Sequence, residues 1–517
     1  MTPWRIINRP SPCAPHPPRR RSSLPSLRAL SAQFGTLGWN APYAFNSSDL
    51  GASARQLRTL LALHRDAPDA FDHRPANRPP LAGGSFGEAT SRFQKIDPSS
   101  VPWEALRYVT CELIYGGRIT DAHDRRLCDV LLADVYDQKV LSADDTFAFS
   151  PSGVYRPPAL GASVHAVRAH VTDFPMADAP EIFGLHENAD VSCATRETAE
   201  LFDAALRLHG RAAGNAAADG DHAAAALRVA EEIDARLPPP FDLPAVRSAF
   251  PYDYRESLRT VLVQELSRYN RLLAAVRASL EELRAGLGGR VAMSAELDAL
   301  LSAVRSHKVP AEWRAHGYTS RKPLGAWTAD LLARVAFFEG WLSKGQPDEF
   351  WLPAFFAPHA FLTAVLQNHA RREGVRVDCL RFEHAVLSQL KKKRDPPRYG
   401  AHMYGLFLEG ASWNVKERTL AEALPSQLFG EMNVIWLKPT TDPPAPADAP
   451  TNAYADGDVT DGDAPAGAPI GGAYDCPVYQ TTDRHGGFVC TVRLPSAGVP
   501  ESHWIKRSTA LICSLDD

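Results

Sequence analysis

The sequence predicts a mainly α-helical body followed by a small antiparallel β-sheet or barrel, an α+β fold overall. Three observations predict it. Apolar residues recur at threes and fours, most clearly from Leu258 through Leu262, Leu266, Tyr269, Leu273, Val276, Leu280 and Leu283 to Leu287, which is one face of a 3.6-residue helix. From about Val375 the texture changes to short alternating runs, the period of half-buried strands. Proline and glycine clusters stand at the ends of the periodic segments, where the backbone has to turn.

Taken in order, the elements begin after "GWNAPYAFNSSDL". Ser47 or Ser48 can cap a helix there, Asp49 suits its positive end, and Leu50, Ala54, Leu57 and Leu61 share a face. Residues 66–98 are rich in Pro, Gly, Asp and Arg without periodicity and read as an inserted loop. "VPWEALRYVTCELIYG" and "TDAHDRRLCDVLLADVYDQKVL" form a helical pair. A proline-rich stretch from Phe147 to Pro180 marks a boundary. "CATRETAELFDAALRLHG" and "HAAAALRVAEEIDARLP" are two more helices, the second stopped by prolines that remove backbone donors. The long helix from Leu258 ends at Gly288–Gly289, and "MSAELDALLSAV", "PLGAWTADLLARVAFFEGWLSKG" and Phe355–Ala370 follow as helices. The strand region contains "VRVDCLRF", "GAHMYGLFLEGASW", "NVIWLKP", "CPVYQT", "FVCTVRLP" and "TALICSL", and residues 440–473 interrupt it with a Pro/Ala/Asp/Gly loop that has no means of packing a core.

A chain of 517 residues with 45% hydrophobic and 22% charged content is long enough for two or three domains. A formal net charge of -4 gives no electrostatic reason to expect nucleic acid or a membrane surface as a partner. Eight scattered cysteines with no C-x-x-C pair argue against a zinc site or a disulfide framework. "FWLPAFFAPHAFLTAVL" is short for a bilayer span and holds two prolines and a histidine, so it reads as a core segment. The first 48 residues contain six arginines and no acid. Residues 1–33 are expected to be a disordered or artefactual leader on an incomplete chain, although the composition also resembles a transit peptide.

Several short motifs have the residue types that chemistry uses. "YGGRITDAHDRRL" joins two glycines to Asp121, His123 and Asp124. A P-loop needs a lysine and a second glycine at fixed spacing, and neither is present. Side chains one or two apart on a helix point in different directions, so these three are not expected to converge on an ion. The expected role is structural: Gly116–Gly117 end one helix, and Thr120 or Asp121 caps the next. "GGSFG" matches the hydrolase elbow with Ser85 as nucleophile, but prolines stand where the elbow needs a buried strand. "DGDVTDGD" (456–463) places its third acid out of register for a calcium loop. "NSS" at Asn46, the basic run "LKKKRD" (390–395) and "GLHENAD" with His186, Glu187, Asn188 and Asp190 read respectively as an incidental match, a solvated face and a helix-capping turn. No catalytic, cofactor-binding or metal-ligating set emerges.

Taken in order, "LGWNAPYAFNSSDL", "VPWEALRYVTCELIYGGRITDAHDRRL", "FSPSGVYRPP", "GLHENADV", "TVLVQELSRYNRLL", "AMSAEL", "KPLGAWTADLLARVAFFEGWL", "PDEFWLPAFFAPHAFLTAVLQNHAR", "GLFLEGASWN", "VIWLKP", "CPVYQT" and "HWIKRSTALI" resemble the carboxyl-terminal region of dynein heavy chains, most closely the axonemal class. The resemblance implies that residues 34–140 are the helical lid of the sixth AAA+ module, with 66–98 inserted. It also implies that 147–517 are the C-terminal domain, a helical bundle (147–374) and a β-barrel (375–517) with the loop 440–473. In that family ATP and magnesium are bound by other modules, the first hydrolysing most ATP. Microtubules are gripped by a stalk, a linker makes the stroke, and all these parts lie upstream. The implied partners are the rest of the ring and the dynein intermediate, light intermediate and light chains, with microtubules engaged only through the whole motor. The implied place is the cytoplasm, cytoskeleton and ciliary axoneme. Both inserted loops are longer than the family pattern, and the link between "CPVYQT" and "FVCTVRLP" looks shortened. The competing readings are a free-standing serine hydrolase using Ser85 and an adaptor that docks on dynein in trans.

Overall fold

A computed structural model describes residues 39–41, 43, 48–49, 51–53, 55–56, 59, 102–141, 147–157, 163–175, 179–212, 216–387, 396–441 and 472–516. The chain divides into two compact units: Met1–Glu197 with Ser502–Ser508, and Thr198–Glu501 with Thr509–Asp517. The expected leader and the 66–98 insertion lie outside the described residues, as does most of the 440–473 loop.

The first unit is helical. α1 (Trp103–Tyr108) runs directly into a π-helical segment, Val109–Tyr115. The expected stop at Gly116 is explained by space: a Cβ there would stand 2.6 Å from the carbonyl oxygens of Cys111 and Glu112. The Gly116 amide instead bonds the Cys111 oxygen five residues back, at 2.6 Å. α2 (Ala122–Val135) is capped by Asp121, whose carboxylate accepts from the amides of His123 and Asp124. Leu106, Cys111, Cys128 and Leu132 are buried between these helices. α3 (Val164–Thr172) starts at a Ser163 cap, and α4 (Asn188–Ala212) leads into the second unit.

The second unit is built on one long helix. After α5 (Ala216–Arg236) and α6 (Leu243–Ala249) comes α7 (Ser257–Leu287). Its expected stripe is the buried face: Leu262, Leu266, Tyr269, Leu273, Val276 and Leu283 have no exposed surface. The helix stops at Gly288, and Gly289 takes the left-handed conformation at φ +70°. α8 (Ala295–Arg305), capped by Ser294, α9 (Ala311–His316) and α10 (Leu324–Lys344) follow. α5, α6, α8, α9 and α10 all pack on α7. Where α9 meets α7, the Trp313 indole donates to Ser279 Oγ at 2.7 Å and stacks on Trp327. β1 (Glu349–Trp351) and α11 (Pro358–Glu373) complete the helical part. Only three residues long, β1 carries no readable period and falls between the two helices expected on either side of it.

Ten further strands follow: β2 (Arg381–Val386), β3 (Ala401–Tyr404), β4 (Phe407–Glu409), β5 (Ser412–Asn414), β6 (Thr419–Ala421), β7 (Phe429–Glu431), β8 (Ile435–Thr440), β9 (Ala473–Thr481), β10 (Phe488–Pro495) and β11 (Ala510–Ser514). They form sheets ordered β1-β3-β8-β2, β10-β9-β11-β4-β7 and β5-β6. The mainly helical, α+β reading therefore holds, but the small antiparallel barrel does not. Among the described residues the strands lie in separate open sheets, and β1/β3 and β11/β9 pair in parallel. Alternation reports which face of a strand is buried. It says nothing of the partner's direction or of closure, and parallel neighbours need a crossover. Here α11 and β2 lie between β1 and β3, and a helical crossover links β10 to β11. The shortened link still closes a hairpin, with β9 and β10 paired from Ala473↔Pro495 to Tyr479↔Phe488.

Candidate functional site

The Asp-x-His-Asp cluster is an anchor for backbone. Asp124, only 1% exposed, accepts from the amides of Asn40 (2.7 Å) and Ala41 (3.1 Å) and from the Tyr43 hydroxyl (2.8 Å). Asp121 takes the side-chain amide of Asn40 at 2.9 Å while capping α2. Asn40 and Ala41 lie in no helix or strand that would satisfy their amides, and the start of α2 supplies the acceptors. Burial pushes the Asp124 carboxyl up to about 6, against the donors that favour its charged form. Its two oxygens thus face amide and phenol donors, while His123 Nδ1 lies 3.8 Å from Asp121. Among the described residues no group of three or more His, Cys, Asp or Glu side chains is arranged to hold a metal ion.

"GLHENAD" is likewise a helix start. His186 Nδ1 accepts the Asn188 amide at 3.2 Å, and the His186 carbonyl accepts the Ala189 amide as α4 begins. Ser85, Asn46, the 390–395 run and the 456–463 loop lie outside the described residues.

A second polar network, in the second unit, has no sequence motif to announce it. Glu265 of α7, 1% exposed, accepts from the amides of Phe356 (2.6 Å) and Ala357 (3.3 Å) and from Arg268 (2.7 Å). Arg334 of α10, 2% exposed, pairs with Asp330 at 2.6 Å, donates to the Pro353 carbonyl and lies 3.7 Å above the Tyr318 ring. Tyr269 donates to the Ala354 carbonyl at 2.6 Å. Together these side chains bind the segment between β1 and α11, at the carbonyls of a 3-10 turn (Leu352–Ala354) and at the amides just after it. Burial pushes the Glu265 carboxyl up, and the amides and Arg268 oppose that shift. A third buried pair, Arg484–Glu409 at 2.6 Å, ties the β9–β10 turn to β4. The signal for Glu265 and Arg334 is positional: each falls on an apolar stripe, Glu265 between Leu262 and Tyr269, Arg334 between Leu331 and Phe338. In all of these sets the polar atoms are spent on backbone groups and on one another, so what they do chemically is fix loops.

Among the described residues no helix is long and apolar enough to cross a membrane. The two units, one helical and one of helices and sheets, have counterparts among known proteins. The family model of the AAA lid domain of dynein heavy chains matches residues 88–189, and that of the C-terminal domain of dynein heavy chains matches residues 195–513. This protein belongs to the dynein heavy chain family and contains its lid and C-terminal domain. It is 35% identical over 493 residues to dynein axonemal heavy chain 12 of Rattus norvegicus, covering 94% of this chain and 14% of the relative. Against dynein axonemal heavy chain 3 of Homo sapiens the identity is 36% over 493 residues, 94% of this chain and 10% of the relative. Dynein axonemal heavy chain 1 of Rattus norvegicus is 35% identical over 496 residues, 94% of this chain and 10% of the relative. The chain thus spans between a tenth and a seventh of the length of these relatives.

Proposed function

We propose that this chain acts as a structural part of an axonemal-type dynein heavy chain, contributing to minus-end-directed movement on microtubules only within the whole motor. The observation that carries the reading is the consecutive match to a lid and then a C-terminal domain, with axonemal heavy chains similar over 94% of the chain. ATP and magnesium would be held by other modules of that motor. Its partners would be the remainder of the AAA+ ring and, through the complex, intermediate, light intermediate and light chains, with no nucleic acid or membrane. Its place would be the cytoskeleton of the cilium, reached through the cytoplasm. Exposed apolar side chains support the reading: Leu113 (62%), Leu201 (72%) and Phe202 (67%) stand on helices, as surfaces left for neighbouring parts would. Calorimetric titration of the purified chain with magnesium and ATP tests it. No saturable heat is expected, and binding with micromolar affinity would contradict the proposal.

A further inference from the structure

We infer that the first unit carries a built seat for one basic peptide and that its occupant is Ser502–Ser508 of this same chain. This stretch lies on the crossover between β10 and β11 and includes most of α12 (Glu501–Lys506). Lys506 Nζ meets both carboxylate oxygens of Asp134, at 2.7 and 2.5 Å, across 372 residues of sequence. Arg507 donates from one terminal nitrogen to the carbonyls of Leu185 (2.7 Å) and Gly184 (3.3 Å). Trp504 and Ile505 are buried, at 1% and 7% exposure.

Toward Lys506 and Arg507 the seat presents acceptors: one carboxylate and two consecutive carbonyls. An ammonium suits the first as a compact charge with three donors, and a guanidinium suits the second because its donors are fixed in a plane. A neutral or acidic peptide would leave those oxygens facing no donor. The backbone is shaped to the occupant as well. Gly184 sits at φ +73°, and a Cβ on it would stand 2.7 Å from Lys506 Cβ. The local stability of the seat then depends on a Lys-Arg pair near the far end of the sequence.

Hydrogen–deuterium exchange on the full chain tests this. An exposed ion pair is worth up to about 1 kcal/mol, or roughly five-fold in opening. Lys506→Glu should accelerate exchange about two- to five-fold at residues 131–137 and 180–188, and the swapped pair Lys506→Glu with Asp134→Lys should recover much of that protection. Gly184→Ala should accelerate exchange at 503–508 as well as beside itself. Unchanged seat amides in Lys506→Glu would overturn the assignment. So would a swapped pair no better protected than the single variant, or a Gly184→Ala effect confined to 183–185.

Discussion

Arg334→Met should destabilise the second unit by about 4 kcal/mol. The side chain is 2% exposed, pairs with Asp330, donates to Pro353 and covers the Tyr318 ring. Methionine fills much the same length but supplies no donor. Removing one member of a buried ion pair costs roughly 3–5 kcal/mol, chiefly because its partner stays buried and unpaired. Here Lys322, 3.9 Å from Asp330, offsets a part of that penalty. The orphaned Pro353 carbonyl adds about 1 kcal/mol or more. The two corrections oppose one another and leave the middle of the range. Urea unfolding followed by tryptophan fluorescence reads this directly, since Trp313 and Trp327 are buried nearby. The midpoint should fall without a change in slope. The pair Asp330→Leu with Arg334→Met should recover part of the loss, because neither member of that pair is then left buried without the other. A loss below about 1 kcal/mol in Arg334→Met would refute the reasoning, showing that the network does not hold the loop between β1 and α11.

Asp124 gives a pH prediction of unusual sign. Its folded value of about 6 lies above the ordinary value of 3.8, so its stabilising share is full below 3.8 and is lost as pH rises through 6. Thermal unfolding of the first unit should gain about 1 kcal/mol between pH 7 and pH 5, and Asp124→Asn should abolish that gain while costing about 1–3 kcal/mol through one misdirected amide. His384 gives the opposite slope in the second unit. Burial lowers its imidazole from 6.5 to about 4, and its Nδ1 accepts the Arg493 amide at 3.3 Å. Its contribution is present above 6.5 and is lost as pH falls towards 4, by up to about 3 kcal/mol. His384→Asn keeps an acceptor without a proton to gain, so it should flatten that part of a urea-midpoint profile.

What can be read from the sequence is whatever depends on periodicity. The α7 stripe, a cap at Thr120 or Asp121 and the stop at Gly288 each follow from a local rule; the stripe and the stop are present as read, and Asp121 is the residue that caps. Sheet architecture is less legible, because β1 is three residues long and β11 returns parallel to β9 only through the path of its crossover. The anchors escape a local reading for a different reason. In sequence Asp124 is an acid in a first helical turn, where charge suits the dipole, but its partners lie more than eighty residues away. Asp330 and Arg334, four apart, have the spacing of an ordinary surface pair. What marks Arg334 as buried is its place on the stripe Trp327–Leu331–Arg334–Phe338–Trp341.

The anchors of both units share one physical logic. A charge on an apolar stripe is a poor way to gain stability, since desolvation consumes much of what pairing returns. It is an effective way to fix irregular backbone, which has amides and carbonyls but no ladder to satisfy them. Asp124 takes the amides of Asn40 and Ala41, Glu265 those of Phe356 and Ala357, while Arg334 donates to the carbonyl of Pro353. Each anchor stands on a helix or its immediate flank and grips a segment outside its own helix. Loops held only by apolar packing could slide, because that attraction has no direction. Loops held by paired hydrogen bonds to a buried charge have one arrangement. A part of a motor whose proposed task is to keep its shape has more use for that fixity than for the few kcal/mol an apolar substitute would add.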